Sequence, residues 1–223
     1  MTIELAPGVD APLTGIRKTA AKHMVKAWSA PVFHLTVDID MTHALGVKEV
    51  VPSATVTDVI IRAFGRALVD HPEVNVHVGE ESVTTYTDAH VGIAVASPKG
   101  LTVPVIHYAS TKTLEEIAQA RSDVVARARE GKLTREDITG GTFTVSNLGM
   151  MGVCQFDAIL NVPQAAIVAI GQTDKKYVLR DDTPMWAPLA SFTLTCDHRA
   201  LDGAAGASFL QTVKANLEQP VTA

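Results

Sequence analysis

Two short apolar runs, Val91-Gly92-Ile93-Ala94-Val95-Ala96 and Ala165-Ala166-Ile167-Val168-Ala169-Ile170, restrict the fold of this chain more than any other feature. A strand with one wet face alternates apolar and polar residues, so a run lacking polar residues reads as a strand covered on both faces. Neither run approaches the roughly 20 apolar residues that span a bilayer. Helical patterns flank them. Leu114 to Arg129 lines up Leu114, Ile117, Ala118, Val124, Val125 and Ala128 on one side, with Gly131 as the stop. About Thr57 to Val69 is a helix begun by Thr/Asp capping residues and halted by His71-Pro72. From Thr14 to Trp28, Ile16, Ala20, Met24 and Ala27 recur at helical spacing. Strands and helices mix without strict βαβ alternation, so the expected class is α/β: a large mixed sheet with flanking helices.

Other segments extend this pattern. Phe33, Leu35, Val37 and Ile39 alternate with His34, Thr36, Asp38 and Asp40, the signature of a strand with one wet face. Further strands are expected at Ser82 to Tyr86, Leu101 to Ile106, Thr142 to Ser146 and Ser191 to Cys196. A hairpin turn is expected at Ser97-Pro98-Lys99-Gly100 and a last helix at about Asp202 to Leu217. Residues 1–13, with prolines and no periodicity, read as an N-terminal arm, and residues 14–223 as one domain. At 223 residues and 47% hydrophobic content, the chain has enough for a full core.

The net charge of −5, with Lys and Arg scattered, excludes a basic footprint for nucleic acid. Cys154 and Cys196 are isolated from one another and from any metal-ligand spacing, which argues for a reducing compartment and no metal. No GxGxxG or GxxxxGK[ST] pattern is present, against a dinucleotide or nucleoside triphosphate site. Met1 to Asp10 lacks the features of a signal peptide, so the expectation is a soluble protein of the cytoplasm or an organelle matrix.

The chemistry concentrates in Asp197-His198-Arg199-Ala200-Leu201-Asp202-Gly203, directly after a strand. It sets an imidazole, which exchanges protons near neutral pH, where a helix begins. Asp197, Arg199 and Asp202 are costly to bury unless they pair with one another. Asp202 reads either as a helix cap or as a direct aid to His198. Ser146, at a strand end before Asn147, Gly149 and Gly152, offers a hydroxyl for a developing oxyanion, although no G-x-S-x-G elbow marks it as a nucleophile.

Together, Gly141-Thr142-Phe143-Thr144-Val145-Ser146-Asn147-Leu148-Gly149-Met150-Met151-Gly152, Phe156-Asp157-Ala158-Ile159-Leu160, Pro163-Gln164-Ala165-Ala166-Ile167 and Asp197 to Gly203 resemble the catalytic domain of the dihydrolipoamide acyltransferases, the E2 component of 2-oxo acid dehydrogenase complexes. The pyruvate dehydrogenase acetyltransferase type is the nearest in pattern. The resemblance implies a chloramphenicol-acetyltransferase-like fold assembling as a homotrimer, with active sites between subunits. It implies His198 as the general base toward the thiol of coenzyme A, Ser146 as the oxyanion donor and Asp202 as the holder of local geometry. Coenzyme A contacts then fall on Lys48, Thr55, Ala96, Ser146 and Gly171. The lipoyl group would arrive on a lipoyl domain, and the E1 and E3 enzymes would engage domains, none of which this sequence shows. The short segment between Met41 and Thr55 leads to the expectation of a truncated helix. The end of the chain lacks an apolar tail, which leads to the expectation of a trimer rather than a larger cage. Branched-chain acyl specificity, a chloramphenicol-type O-acetyltransferase and a non-catalytic scaffold core stay open as alternatives.

Overall fold

The computed structural model describes residues 8–97, 100–180 and 182–223. Most of the expected arm and the Pro98-Lys99 tip of the expected hairpin lie outside the described residues, as does the side chain of Ile16. Helix α1 (Gly15–Trp28) ends where the Ser29 hydroxyl donates to the Lys26 carbonyl, and Pro31 leads into β1 (Val32–Asp40). After Met41 the chain makes two single turns, α2 (Thr42–Leu45) and α3 (Val47–Val50). Helix α4 (Val56–Asp70) follows, its start fixed by Thr55, whose backbone N–H and hydroxyl both donate to Asp58 Oδ2 at 2.8 Å. Then come β2 (Val76–Val78), β3 (Val83–Thr85), β4 (Val91–Ile93), β5 (Val95–Ser97), β6 (Gly100–Thr102), β7 (Val105–Ile106) and α5 (Leu114–Arg129). The chain closes with β8 (Phe143–Asn147), β9 (Ala166–Ile170), β10 (Asp174–Arg180), β11 (Thr183–Asp197) and α6 (Gly203–Leu217).

The main sheet has seven strands in the order β1-β11-β9-β8-β4-β7, with β10 beside the first half of β11. The β4–β8 and β8–β9 pairs are parallel and the others antiparallel, so the sheet is mixed as expected. Its inner face carries Phe143 and Phe192, which stack with Phe64 of α4 and Phe209 of α6 at centroid distances of 5.3 to 6.3 Å. Those four rings are fully buried and form the centre of the core.

The outer face of the central strands is covered as expected, every residue of Val91–Ile93 and Ala166–Ile170 being buried. Ile167 meets only a small cluster with Ala30 and Leu160, flanked by Ala158 and Val162. Beyond it the face is polar: His34 is bonded to Thr195, Thr36 to Thr193, and the Ser191 hydroxyl donates to Asp38. Helix α1 is correspondingly bare, with Ala27 buried while Val25 and Trp28 are 74% and 76% exposed.

Three strand expectations are corrected. Val91 to Ala96 is two strands, because the chain leaves the main sheet at Ala94 and β5 pairs with β6 in a separate two-stranded sheet. Leu101 to Ile106 is likewise broken before β7, at Pro104, which has no N–H for a ladder. The last strand begins at Thr183 and not at Ser191. Pro184 and Pro188 disguise its first half, which tolerates them because it pairs with β10 alone.

Candidate active site

Strand β11 delivers Asp197 to its end with the carboxylate fully buried. Burial of that charge is offset by Arg199, whose Nε donates at 2.9 and 3.2 Å and Nη2 at 2.5 Å, while the Arg199 backbone N–H donates at 3.0 Å. The Asp197 carbonyl accepts from the N–H groups of Ala200 and Leu201, closing a tight turn over residues 197–201. His198 is thereby fixed from both sides in sequence. Its N–H donates to the Pro31 carbonyl at 2.8 Å, and its ring lies 4.7 Å from the Phe33 ring.

The imidazole is exposed on the single chain. Phe33 covers one side of the ring, and no side chain of the same chain is hydrogen-bonded to it among the described residues. Asp202 accepts from the Ala205 N–H at 2.8 Å as the N-cap of α6. Of the two readings left open for Asp202, the structure displays capping; no hydrogen bond joins it to His198 among the described residues.

Ser146 is half-buried on β8, one residue before its end. Its strand is tied in place by the buried Gln164, which accepts from Thr144 Oγ1 at 2.6 Å and donates to the Gly141 carbonyl at 2.9 Å. Register fixes the relation of Ser146 to His198. Ser146 lies opposite Ala169 of β9, and Ala169 opposite Thr193 of β11. His198 is therefore five residues further along and two strands across. At about 3.3 Å per residue and 4.8 Å per strand, the two residues of one chain are roughly 19 Å apart.

Beside Ser146 the chain turns sharply. Asn147 Oδ1 accepts from the Gly149 N–H, and Leu148 donates to the Ile170 carbonyl. Gly149 and Gly171 touch so closely that a Cβ on Gly149 would stand 2.7 Å from the Gly171 carbonyl oxygen, and one on Gly171 would stand 1.9 Å from that of Cys154. The turn borders a cleft of about 450 Å³ walled by Met41, Leu45, Ile60 and Met150, with Asn147, Gly149, Gly171 and Gln172 at its polar edge.

The residues expected to contact coenzyme A divide around this cleft. Gly171 lines it, and Ser146 and Thr55 each precede a lining residue, Asn147 and Val56. The Thr55 hydroxyl is engaged in capping α4. Lys48 is exposed on α3, and Ala96 is exposed on β5; neither lines the cleft. Met41, Leu45 and Gln172 escaped sequence reasoning, because each carries no motif and joins the cleft only through contacts made by distant segments. Cys154 and Cys196 are free thiols, the first exposed and the second buried, and burial pushes the Cys196 thiol up to about 12. No group of three or more His, Cys, Asp or Glu residues suited to a metal occurs among the described residues.

Comparison with known proteins gives this arrangement a family. The sequence profile of the 2-oxoacid dehydrogenases acyltransferase (catalytic domain) matches residues 6–223. A dihydrolipoyllysine-residue acetyltransferase component of the pyruvate dehydrogenase complex from Rickettsia bellii is 34% identical over 94% of this chain and 53% of its own length. The chain thus spans about half the length of the curated relatives it matches. A crystal structure of a probable dihydrolipoamide acetyltransferase from Listeria monocytogenes superposes with a TM-score of 0.90 at 32% identity, covering 95% of this chain and 94% of that one. The Azotobacter vinelandii dihydrolipoamide acetyltransferase, studied for the role of a serine, a histidine and an asparagine in catalysis, gives 0.88 at 26% identity, covering 96% and 97%. A chloramphenicol acetyltransferase, at 11% identity and a TM-score of 0.57, covering 88% and 94%, shares the fold. With a profile match over nearly its whole length and the mixed sheet of those structures, the chain belongs to the 2-oxoacid dehydrogenase acyltransferase family, in its catalytic-domain part.

Proposed function

We propose that residues 14–223 form the catalytic domain of a dihydrolipoamide acyltransferase that moves an acetyl group between the lipoyl thioester and coenzyme A, acting as a homotrimer with sites between subunits. The observation that carries this reading is the sheet register, which sets Ser146 and His198 of one chain two strands apart and five residues out of step, a separation of roughly 19 Å at ideal strand spacings. Both are open to the surface on the single chain, and a site that uses both needs the serine of one protomer beside the histidine of another.

In that site His198 takes the proton from the coenzyme A thiol, which is only a few per cent thiolate at neutral pH. The thiolate sulfur attacks the carbonyl carbon of the acetyl thioester, and the carbonyl electron pair moves onto oxygen. Ser146 donates a hydrogen bond to that oxyanion. Collapse breaks the bond to the lipoyl sulfur, which leaves as thiolate and recovers the proton from the His198 imidazolium. Asp202, by capping α6, and the Asp197–Arg199 pair hold the imidazole in place. The four-residue spacing of His198 and Asp202 equals that of the histidine and asparagine studied in the Azotobacter vinelandii enzyme. The cleft beside Ser146 is the proposed coenzyme A channel, with Gly171 in its wall, Thr55 next to the lining residue Val56, and Lys48 and Ala96 outside the lining. The lipoyl group arrives on a lipoyl domain, and contacts with E1 and E3 belong to segments outside this sequence.

The test is acyl transfer from acetyl-, isobutyryl- and succinyl-coenzyme A to dihydrolipoamide, with chloramphenicol as a rival acceptor. Acetyl transfer to dihydrolipoamide should dominate, and Ser146→Ala should lower kcat by about 10² to 10³. Preference for chloramphenicol, or full activity in His198→Ala, would overturn the reading.

A further inference from the structure

Helix α4 contributes Val56 and Ile60 to the cleft beside Ser146 and turns a basic side toward the end of the chain. Arg62 is only 6% exposed. With Arg66, one turn later, it lines a second, smaller cleft of about 90 Å³, together with Asn216, Gln219 and Thr222. Arg62 Nη1 donates to the Thr222 carbonyl at 2.6 Å. Arg62 lines the cleft, and its remaining guanidinium N–H groups are not among the fully buried unpartnered polar atoms, so they are not sealed away from solvent.

Arginine stays charged in proteins, and a buried charge is costly unless something of opposite sign meets it. Here the carboxylates within reach along the chain are engaged elsewhere. Asp58, one turn before Arg62, is held by Arg121 at 2.6 and 3.1 Å and by Thr55. Glu218 pairs with Lys214 and accepts from the Asp40 N–H. No carboxylate among the described residues forms an ion pair with Arg62 or Arg66. Burial and the neighbouring Arg66 both push the Arg62 guanidinium down from its ordinary value, the signature of a cation lacking a counter-charge. A cleft of about 90 Å³ suits one small oxyanion between the two guanidinium groups.

We propose that Arg62 and Arg66 form a binding site for a small oxyanion, phosphate or carboxylate, at the junction of α4 with the segment after α6. The site is separate from the proposed active site and does not depend on the acyltransferase reading. Its ligand is recognised by charge-assisted hydrogen bonds from two guanidinium groups one helical turn apart.

Isothermal titration with inorganic phosphate, in chloride buffers of matched ionic strength, tests this. A parallel chain carries a Gly-Ser-Gly extension after Ala223, which moves any terminal carboxylate away from the cleft. Saturable binding at one site per chain is expected, abolished in Arg62→Met and weakened about tenfold in Arg66→Gln. Equal binding by both chains identifies free phosphate as the occupant. Binding by the extended chain alone identifies the polypeptide's own carboxylate as the occupant of the same oxyanion site. No saturable binding in either chain, or an affinity unchanged in Arg66→Gln, overturns the proposal. Should Arg62→Met fail to fold by circular dichroism, the Arg66→Gln result decides alone.

Discussion

Replacing Arg199 with Met tests whether the ion pair at the end of β11 serves both stability and the placement of His198. Asp197 is fully buried, and Arg199 supplies its side-chain partners, leaving only the backbone N–H of residue 199 in the variant. Removing one partner of a buried pair costs about 3 to 5 kcal/mol. The Arg199 side chain is 45% exposed, which brings the expected loss down to about 2 kcal/mol. For a domain of this size that lowers Tm by about 4 to 8 °C in thermal unfolding followed by circular dichroism. The variant Asp197→Leu with Arg199→Met removes both charges and should recover most of that loss. It should not recover acyl transfer, because the carboxylate and guanidinium that clamp the turn beside His198 are gone. A single variant with unchanged Tm and unchanged kcat would refute the argument. A double variant with full activity would refute the positioning role alone.

Other consequences follow from the same geometry. Gly171→Ala forces a Cβ to within 1.9 Å of the Cys154 carbonyl, so thermal unfolding should show a loss at the large end of single substitutions, above about 3 kcal/mol, unless the 153–155 segment relocates. Thiol titration of the native protein should find Cys154 reacting and Cys196 silent until denaturant is added, since burial holds the latter near 12. The hydrogen bond from Arg127 lowers the Asp137 carboxyl from 3.8 to about 2. A depressed carboxyl stabilises the fold above its unfolded value and loses that contribution as pH falls through the folded one. Asp137→Asn should therefore flatten the acid-induced loss of stability between about pH 4 and pH 2, measured by denaturant unfolding.

What was legible in the sequence depended on how locally each feature is encoded. Helix α5 was readable to the residue, because its apolar stripe and its Gly131 stop, at φ +70°, lie within one segment. The cluster around His198 was legible because its charges are contiguous, and Asp197 and Arg199 do pair. Strand β10 and the first half of β11 were not legible. Their pairing is with each other, so Pro184 and Pro188 are permitted where a two-sided strand would reject them. The break at Ala94 was hidden inside one apolar run, because membership of one sheet or another depends on partners distant in sequence. For the same reason the cleft was invisible: its walls come from residues after β1, from α4, from the turn after β8 and from the end of β9. The exposure of Val25, Trp28 and the His198 ring could not be read either, since an apolar or titratable residue carries no mark of whether its partner is in the same chain.

The most direct test of a site shared between protomers is subunit mixing. Ser146→Ala and His198→Ala proteins are each assayed alone, then unfolded together in equal amounts, refolded and assayed again for acetyl transfer to dihydrolipoamide. A site between protomers draws an intact histidine from one chain in two and an intact serine from one neighbour in two, so the mixture should recover about one quarter of the wild-type rate. A mixture as inactive as its two components would contradict the account, because it would place both residues in a site built from a single chain.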